Sequence, residues 1–456
     1  MKNFLKRFGA WTIALTACAT QVFGQNGSNE KTIEELLRRV EGLEKKMEQK
    51  DRKIRTLEKD HDHEGHDDHQ EAHEEHETGY IDVSLEILFA GGTSTARDAT
   101  IQQLQGGSHD PNRRGFTLQQ VALEISGQIG ESFRAKAHTV FFIDPEGETG
   151  VELEEAFVQT TALPDGFQAE GGFFLTEFGQ INPTHPHDWT WLDQPVAHSR
   201  IFGADGLRQA GLQLSRRTEH HRWHVGIQQA SGETTQSFFA NDELYDPAEA
   251  DRSIGGLAFV EQDPRNFKDF IYSARWACHW QLDEKTVAEL GASALYGPNA
   301  SGPDGRTFIW GVDLKVQAEG PGPGNTGWVW QTEWLMRDFK ADPTNPNFIT
   351  DDLEDWGLYT QLHGWLNEHW ALGIRCERAG GSGANSDPSA PGTPISRNTD
   401  PFRADRWRLS PLLIWAPNDS SRIRLQYNRD DSEHLSETVH TVWFGFEFAL
   451  GGHEGH

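Results

Sequence analysis

Residues 308–317 read Phe308-Ile-Trp-Gly-Val-Asp-Leu-Lys-Val-Gln317. Phe308, Trp310, Val312, Leu314 and Val316 fall on one side of an extended chain, and Gly311, Asp313, Lys315 and Gln317 on the other. A strict period of two over ten residues is a strand with one apolar and one polar face. The same texture recurs on both sides. Ile81, Val83, Leu85, Ile87 and Phe89 share a face, as do Val121, Leu123, Ile125 and Ile129. Ile423, Leu425 and Tyr427 alternate with Arg422, Arg424, Gln426 and Asn428. In a soluble sandwich the apolar faces would meet each other across a core. Here the opposite faces carry Gly, Ser, Gln and charges of both signs, as a wet lumen does, so the apolar faces belong against lipid. Trp280, Trp328, Trp334, Trp356, Trp370 and Trp415 recur near segment ends, where aromatic girdles sit.

Sixteen such segments are countable, starting near Tyr80, Phe116, Phe133, Val151, Phe167, Leu207, His221, Ile271, Thr286, Arg306, Gly327, Glu354, Trp370, Arg403, Arg422 and Val439. Their connections alternate between short turns (near Gly130, Pro164, Arg217, Asp283, Pro321, Asn367 and Asn418) and long loops (91–115, 179–206, 232–270, 339–353 and 381–402). The pattern predicts an all-β transmembrane barrel of sixteen antiparallel strands over residues 80–450, in a Gram-negative-type outer membrane, with both termini periplasmic. Beyond residue 20 no apolar run is long enough for a membrane-spanning helix.

The termini have their own grammar. Residues 1–24 read as a signal peptide: Lys2, Lys6 and Arg7 precede the apolar 10–17, and Val22-Phe23-Gly24 offers a cleavage site before Gln25. Leu15-Thr16-Ala17-Cys18 also reads as a lipobox, which would lipidate Cys18. Within 25–60, Ile33, Val40, Met47 and Ile54 take one core position of a heptad, and Leu36, Leu43, Lys50 and Leu57 the other. That predicts a coiled-coil helix, or else a single amphipathic helix. Residues 61–79 form a His/Asp/Glu-rich linker with His61, His63, His66, His69, His73 and His76, and the 451–456 tail adds His453 and His456. Imidazole and carboxylate without thiol suit loosely bound zinc or another divalent metal, not a closed structural zinc site. The plain alternative is a solvated charged linker. Cys278 and Cys376 fall on apolar faces of separate strands, so no disulfide is expected.

One loop stands apart. Residues 178–206, FGQINPTHPHDWTWLDQPVAHSRIFGADG, have no periodicity, and a connection of about 30 residues between strands is usually functional. It reads as a constriction loop folded into the barrel. His185 and His187, with Asp188 beside them, could present two ligands to one metal ion, His198 adding a third; the bland reading has them hydrogen-bonded to the wall. For a pore constriction the candidates are Asp188 and Asp193 on the loop against Arg134, Lys136, Arg375, Arg408, Arg422 and Arg424 on the lumen face, a transverse field that sorts polar solutes. The alternative is that these arginines pair with Glu152, Glu154 and Glu377 and fill space.

The progression GGFFLTEFGQ (171–180), FGADGLRQAGLQLS (202–215) and WHVGIQQASGE (223–233), with an N-terminal coiled coil, sixteen strands and a long third loop, resembles the phosphate-selective porin O and P superfamily. That resemblance implies a homotrimeric diffusion channel. It does not carry phosphate with it. From Tyr80 onward 53 acidic residues face 28 basic ones, and a negative mouth concentrates cations. The expected function is therefore passage of small hydrophilic solutes, divalent metal ions such as zinc among them; an anion or phosphate-type porin and a metal-binding receptor without channel activity are the alternatives. No enzyme is expected and no cofactor is required: a hydrolase would need a Ser–His pair oriented by a third group, and no signature supports that role for His138 on the lumen face with Ser126 nearby. Nor is nucleic acid a partner. An energy-coupled receptor would need about 22 strands and a plug domain.

Overall fold

A computed structural model describes residues 81–144, 147–241, 253–350 and 352–451. The signal sequence, the heptad, the linker histidines His61–His76 and the tail histidines His453 and His456 lie outside the described residues.

Sixteen strands close into a single antiparallel barrel. In chain order they are β1 (Ile81–Ser94), β2 (Gly115–Ile129), β3 (Phe133–Ile143), β4 (Thr149–Thr160), β5 (Phe167–Leu175), β6 (Arg208–Arg217), β7 (His221–Gln229), β8 (Phe270–Asp283), β9 (Thr286–Pro298), β10 (Arg306–Gly322), β11 (Thr326–Lys340), β12 (Leu353–Trp365), β13 (Trp370–Ser382), β16 (Arg406–Asn418), β17 (Ser421–Ser432) and β18 (Val439–Leu450). A hairpin of β14 (Asn385–Asp387) and β15 (Ala390–Ile395) rides in the loop between β13 and β16. Each strand pairs with its sequence neighbour, and β1 meets β18 from Leu85↔Leu450 to Ser94↔Thr441, which leaves no edge. The strands begin within three residues of the positions expected from alternation.

Alternation also sorts the faces. On β10, Phe308 and Val312 are exposed outward while Thr307, Ile309, Gly311 and Asp313 are buried inward. Outward-facing Trp280, Trp328, Trp370 and Trp415 are among the exposed large side chains. Among the described residues no helix is long and apolar enough to cross a membrane. Cys278 and Cys376 are both free.

Because connections alternate, the short turns gather at one rim and the long loops at the other. Several long loops fold inward. Loop 1 (95–114) carries helix α1 (Asp98–Leu104), and loop 3 (176–207) carries helix α2 (Val196–Phe202). Inside the barrel Phe178, Ile201 and Phe202 of loop 3 and Phe238 and Phe239 of loop 4 (230–269) pack with inward Ile271, Leu295, Ile309, Leu335 and Tyr359, forming a hydrophobic core within the lumen. The wall makes room with glycines. A Cβ on Gly357 would stand 2.5 Å from Ala197 Cα, and one on Gly445 would collide with Leu192. Phe178 and Trp191 lie likewise over Gly311 and Gly373. Gly357 lets loop backbone approach strand backbone, and the other three make room for loop side chains.

Candidate functional site: a buried histidine and glutamate cluster behind loop 3

Loop 3 is held between two chemically opposite walls. One wall is β13, β16, β17 and β18, and its side chains are arginines. Asp193 at the loop's turn is fully buried and accepts hydrogen bonds from Arg375, Arg408 (3.0 Å), Gln426 (2.8 Å), Asn428 (2.8 Å) and, from loop 1, Gln105 (3.1 Å). Arg375 also binds Glu377 at 2.8 Å and donates to the Asp193 carbonyl at 3.0 Å. Arg408 reaches Asp430 at 2.8 Å. Arg422 and Arg424 pair with Glu447 at 2.7 and 2.8 Å and donate to the loop carbonyls of His187 and Trp189 at 2.7 and 2.9 Å. Burial by itself would raise the Asp193 carboxyl, but the Arg375 and Arg408 guanidiniums outweigh it and hold the group below the usual carboxylate range.

The four arginines named from sequence on this side thus all touch loop 3, Arg375 and Arg408 through Asp193 and Arg422 and Arg424 through its carbonyls, and all also pair with strand acids, Glu377, Asp430 and Glu447. Glu152 and Glu154 take other partners. Arg134, half-buried on β3, stands on the opposite side of the barrel, and Lys136 next along the same face ion-pairs with Glu124 (3.1 Å) and Glu155 (3.4 Å).

The second wall is β1 to β4, and here the histidines collect. His185 of loop 3 places Nδ1 2.8 Å from Glu154 and Nε2 2.9 Å from Glu155. His138 of β3 brings Nδ1 to 2.7 Å from the same Glu154 oxygen. His187 sets Nδ1 2.7 Å from Glu86 of β1 and Nε2 3.7 Å from Asp188. His109 of loop 1 comes within 3.3 Å of Glu154 and 3.6 Å of Glu152, whose other partner is Arg208. Ring centroids of His138 and His185 are 4.0 Å apart, and those of His185 and His187 5.5 Å. All four imidazoles are buried. Burial disfavours charge on His185, yet hydrogen bonding and attraction from Glu154 and Glu155 prevail and push its imidazole up to about 10. His109 is raised for a similar reason, with Glu154 outweighing burial.

A register shift explains how two consecutive glutamates both enter the lumen. His138 pairs with Glu155, and the next pair is Thr139 with Leu153, so Glu154 is the extra residue of a β-bulge. Strict alternation would have sent Glu155 outward with Val151 and Leu153; a bulge re-aims the side chain.

Of the three loop histidines expected to share an ion, the structure unites His185 and His187 and separates His198. The His198 ring lies across the lumen beside β11, where Nε2 is 3.1 Å from Glu333, itself 2.5 Å from the Tyr359 hydroxyl. Its sequence position, on α2 and eleven residues past His187, turns it to the other wall. His109, His138, Glu154 and Glu155 were not among the sequence candidates for a metal. His138 was legible as lumen-facing; His109 had no signal in its loop.

Beneath loop 3, toward the short-turn rim, lies a cavity of about 810 Å³ lined by groups of both signs, among them Glu177, Arg222, Lys285, Glu289, Lys315 and Glu319.

No protein-family model matches the chain. An uncharacterized protein of Aquifex aeolicus (strain VF5) is 24% identical over 404 residues, covering 82% of this chain and 79% of that one. Among solved structures, the outer membrane channel DcaP of Acinetobacter baumannii superimposes with a TM-score of 0.51 at 8% identity, over 82% of this chain and 97% of its own. The anion-selective porin from Comamonas acidovorans does so with a TM-score of 0.50 at 9% identity, over 82% and 100%. The fold is that of an outer-membrane porin. In this porin-type barrel the inward third loop is not merely laid across the lumen. It is fastened by carboxylate to arginine on one wall and by imidazole to carboxylate on the other.

Proposed function

We propose that this chain is an outer-membrane diffusion porin passing small hydrophilic solutes, divalent metal ions such as zinc among them. The observation that carries the reading is the closed sixteen-strand barrel, apolar outside and polar inside, with a loop folded inward above a charged cavity. The porin-type neighbours support the fold half of the argument. Net negative charge, 53 acids against 28 bases from Tyr80 on, supports the preference for cations. So does the fate of the lumen arginines: Arg375, Arg408, Arg422 and Arg424 are paired with carboxylates, which leaves little free positive field to draw anions. Trimeric assembly, periplasmic termini and a place in the phosphate-selective porin O and P superfamily follow the same reading, on the strength of the sequence pattern. The histidine tracts before and after the barrel would then lie on the periplasmic side, where weak ligands catch emerging ions and release them.

A receptor that binds without conducting is the competing reading, favoured by the apolar core that loops 3 and 4 build inside the lumen. Reconstitution in a planar bilayer with a KCl gradient separates them. Stepwise conductance with a cation-selective reversal potential is the expected result. Anion selectivity would restore the phosphate-type reading, and absence of conductance would leave the receptor.

A further inference from the structure

The cluster behind loop 3 has the donors of a metal site. A ring nitrogen of His138, one of His185 and a Glu154 oxygen lie within 4.8 Å of one another, all on buried residues, and His109, Glu152 and Glu154 form an adjoining set that shares Glu154. We propose that His138, His185 and Glu154 bind one first-row divalent transition-metal ion of the zinc type, fastening loop 3 to β3 and β4. The proposal deepens the metal-passage reading above and rests on it only for what delivers the ion.

Two physical observations favour an ion over a plain polar network, and the spacing of the donors admits one. The donor set is two imidazoles and a carboxylate with no sulfur, which suits zinc, nickel or copper(II), and three protein ligands leave a fourth position open for exchange. The distances are those of a site closed on protons. Donors around a tetrahedral zinc sit about 2.0–2.1 Å from the metal and so about 3.3 Å from each other. Here His138 and His185 stand 2.7 and 2.8 Å from Glu154. Spreading them by about half an ångström, which rotations of two imidazoles and one carboxylate can supply, opens the centre as the ion displaces the protons. Finally, the bulge at Glu154 turns two consecutive carboxylates inward, and Glu155 then braces His185 through its other nitrogen. A carboxylate on the far nitrogen of a ligating histidine is the usual arrangement for orienting it.

The test uses the full chain, folded in detergent, with His61, His63, His66, His69, His73, His76, His453 and His456 changed to Ala so that the tracts outside the barrel contribute no binding. Zinc chloride is followed by equilibrium dialysis and cobalt(II) by its visible d–d absorption. One tight equivalent per chain is expected, unaffected by adding His198→Ala. The pair His138→Ala with His185→Ala should weaken it by more than the roughly 100-fold that loss of an outer-shell partner alone can cost. Should that pair fail to fold, Glu154→Gln keeps side-chain volume and is read in the same way. Absence of a tight equivalent in the parent, or affinity unchanged by either set of substitutions, overturns the proposal. Conductance on the same preparation decides the porin reading independently: a channel that binds no metal sinks this site alone, and a metal-binding barrel without conductance sinks the channel alone.

Discussion

Asp193 at the turn of loop 3 and Arg408 on β16 meet at 3.0 Å with neither exposed to solvent, 215 residues apart in sequence. Arg375 completes the grip, and its guanidinium also lies 5.4 Å from the centre of the Trp191 ring. A buried ion pair adds little when compared with apolar residues of the same shape, but removing one partner strands the other's charge. Asp193→Ala takes one of two carboxylates from each of two buried guanidiniums, Arg375 keeping Glu377 and Arg408 keeping Asp430, and removes the acceptor of the Gln426 and Asn428 amides. The expected loss is about 1–3 kcal/mol of stability, with loop 3 released from its wall. Urea-induced unfolding followed by electrophoretic mobility measures the first, and a rise in conductance with added current noise the second. A variant with unchanged stability and unchanged conductance would mean the loop is fixed elsewhere.

Gly357 offers a steric version of the same experiment. A methyl group there meets Ala197 Cα at 2.5 Å, and backbone cannot swing aside as a side-chain tip can. Gly357→Ala should cost about 1–3 kcal/mol by overpacking, while Gly324→Ala, whose site at the short-turn rim is open though its φ is +61°, should not move loop 3. Protease accessibility of the 176–207 segment distinguishes a displaced loop from a merely strained one.

The contact between loops 1 and 3 should respond to pH near neutrality. Asp110 accepts backbone N–H bonds from Gly107 (2.9 Å) and Gln194 (2.8 Å) and is buried. Burial first, and the nearby Asp193 charge second, push its carboxyl up to about 7 in spite of those bonds and of Arg408. A carboxyl raised in the folded state favours folding fully below its unfolded value, about 4, and that contribution is lost as pH rises through about 7. Hydrogen exchange of loop 1 amides, corrected for intrinsic rate, should therefore be slower at pH 5.5 than at pH 8.5. Asp110→Asn, neutral throughout, should flatten the difference; if the dependence survives in that variant, another group is responsible.

The cavity beneath loop 3 gives the selectivity test. Lys315 and Glu289 both line it. Lys315→Glu changes the local charge by two units in a confined, low-dielectric passage, where potentials reach several kT. The cation-to-anion permeability ratio should rise a few fold, read from the reversal potential in a KCl gradient. No shift would place the ion path away from this wall.

How much of this was legible in the sequence differs sharply between barrel and site. The strands and their inward faces follow from a period of two, a property of adjacent residues, so they could be counted directly; the sixteen closed strands begin within three residues of the expected positions. The inward course of loop 3 was legible too, from its length and its lack of alternation. His185 and His187 stay together because one residue separates them.

What the tertiary structure alone decided is which distant groups meet. Whether Glu155 faces lipid or lumen depends on the pairing register of β3 with β4, where one bulged residue reverses the side on which it emerges. His109 and His138 join His185 because loop 1 and loop 3 cross the same wall, and His198 leaves because helix α2 packs on β11 to β13 instead. The loop's path is set by contacts such as Arg375 with Asp193, 182 residues apart, and Asn428 with Asp193, 235 apart. Alternation is local and survives in the sequence as a pattern. A contact across a lumen depends on closure, register and buried charge balance summed around sixteen strands, and no local pattern records that sum.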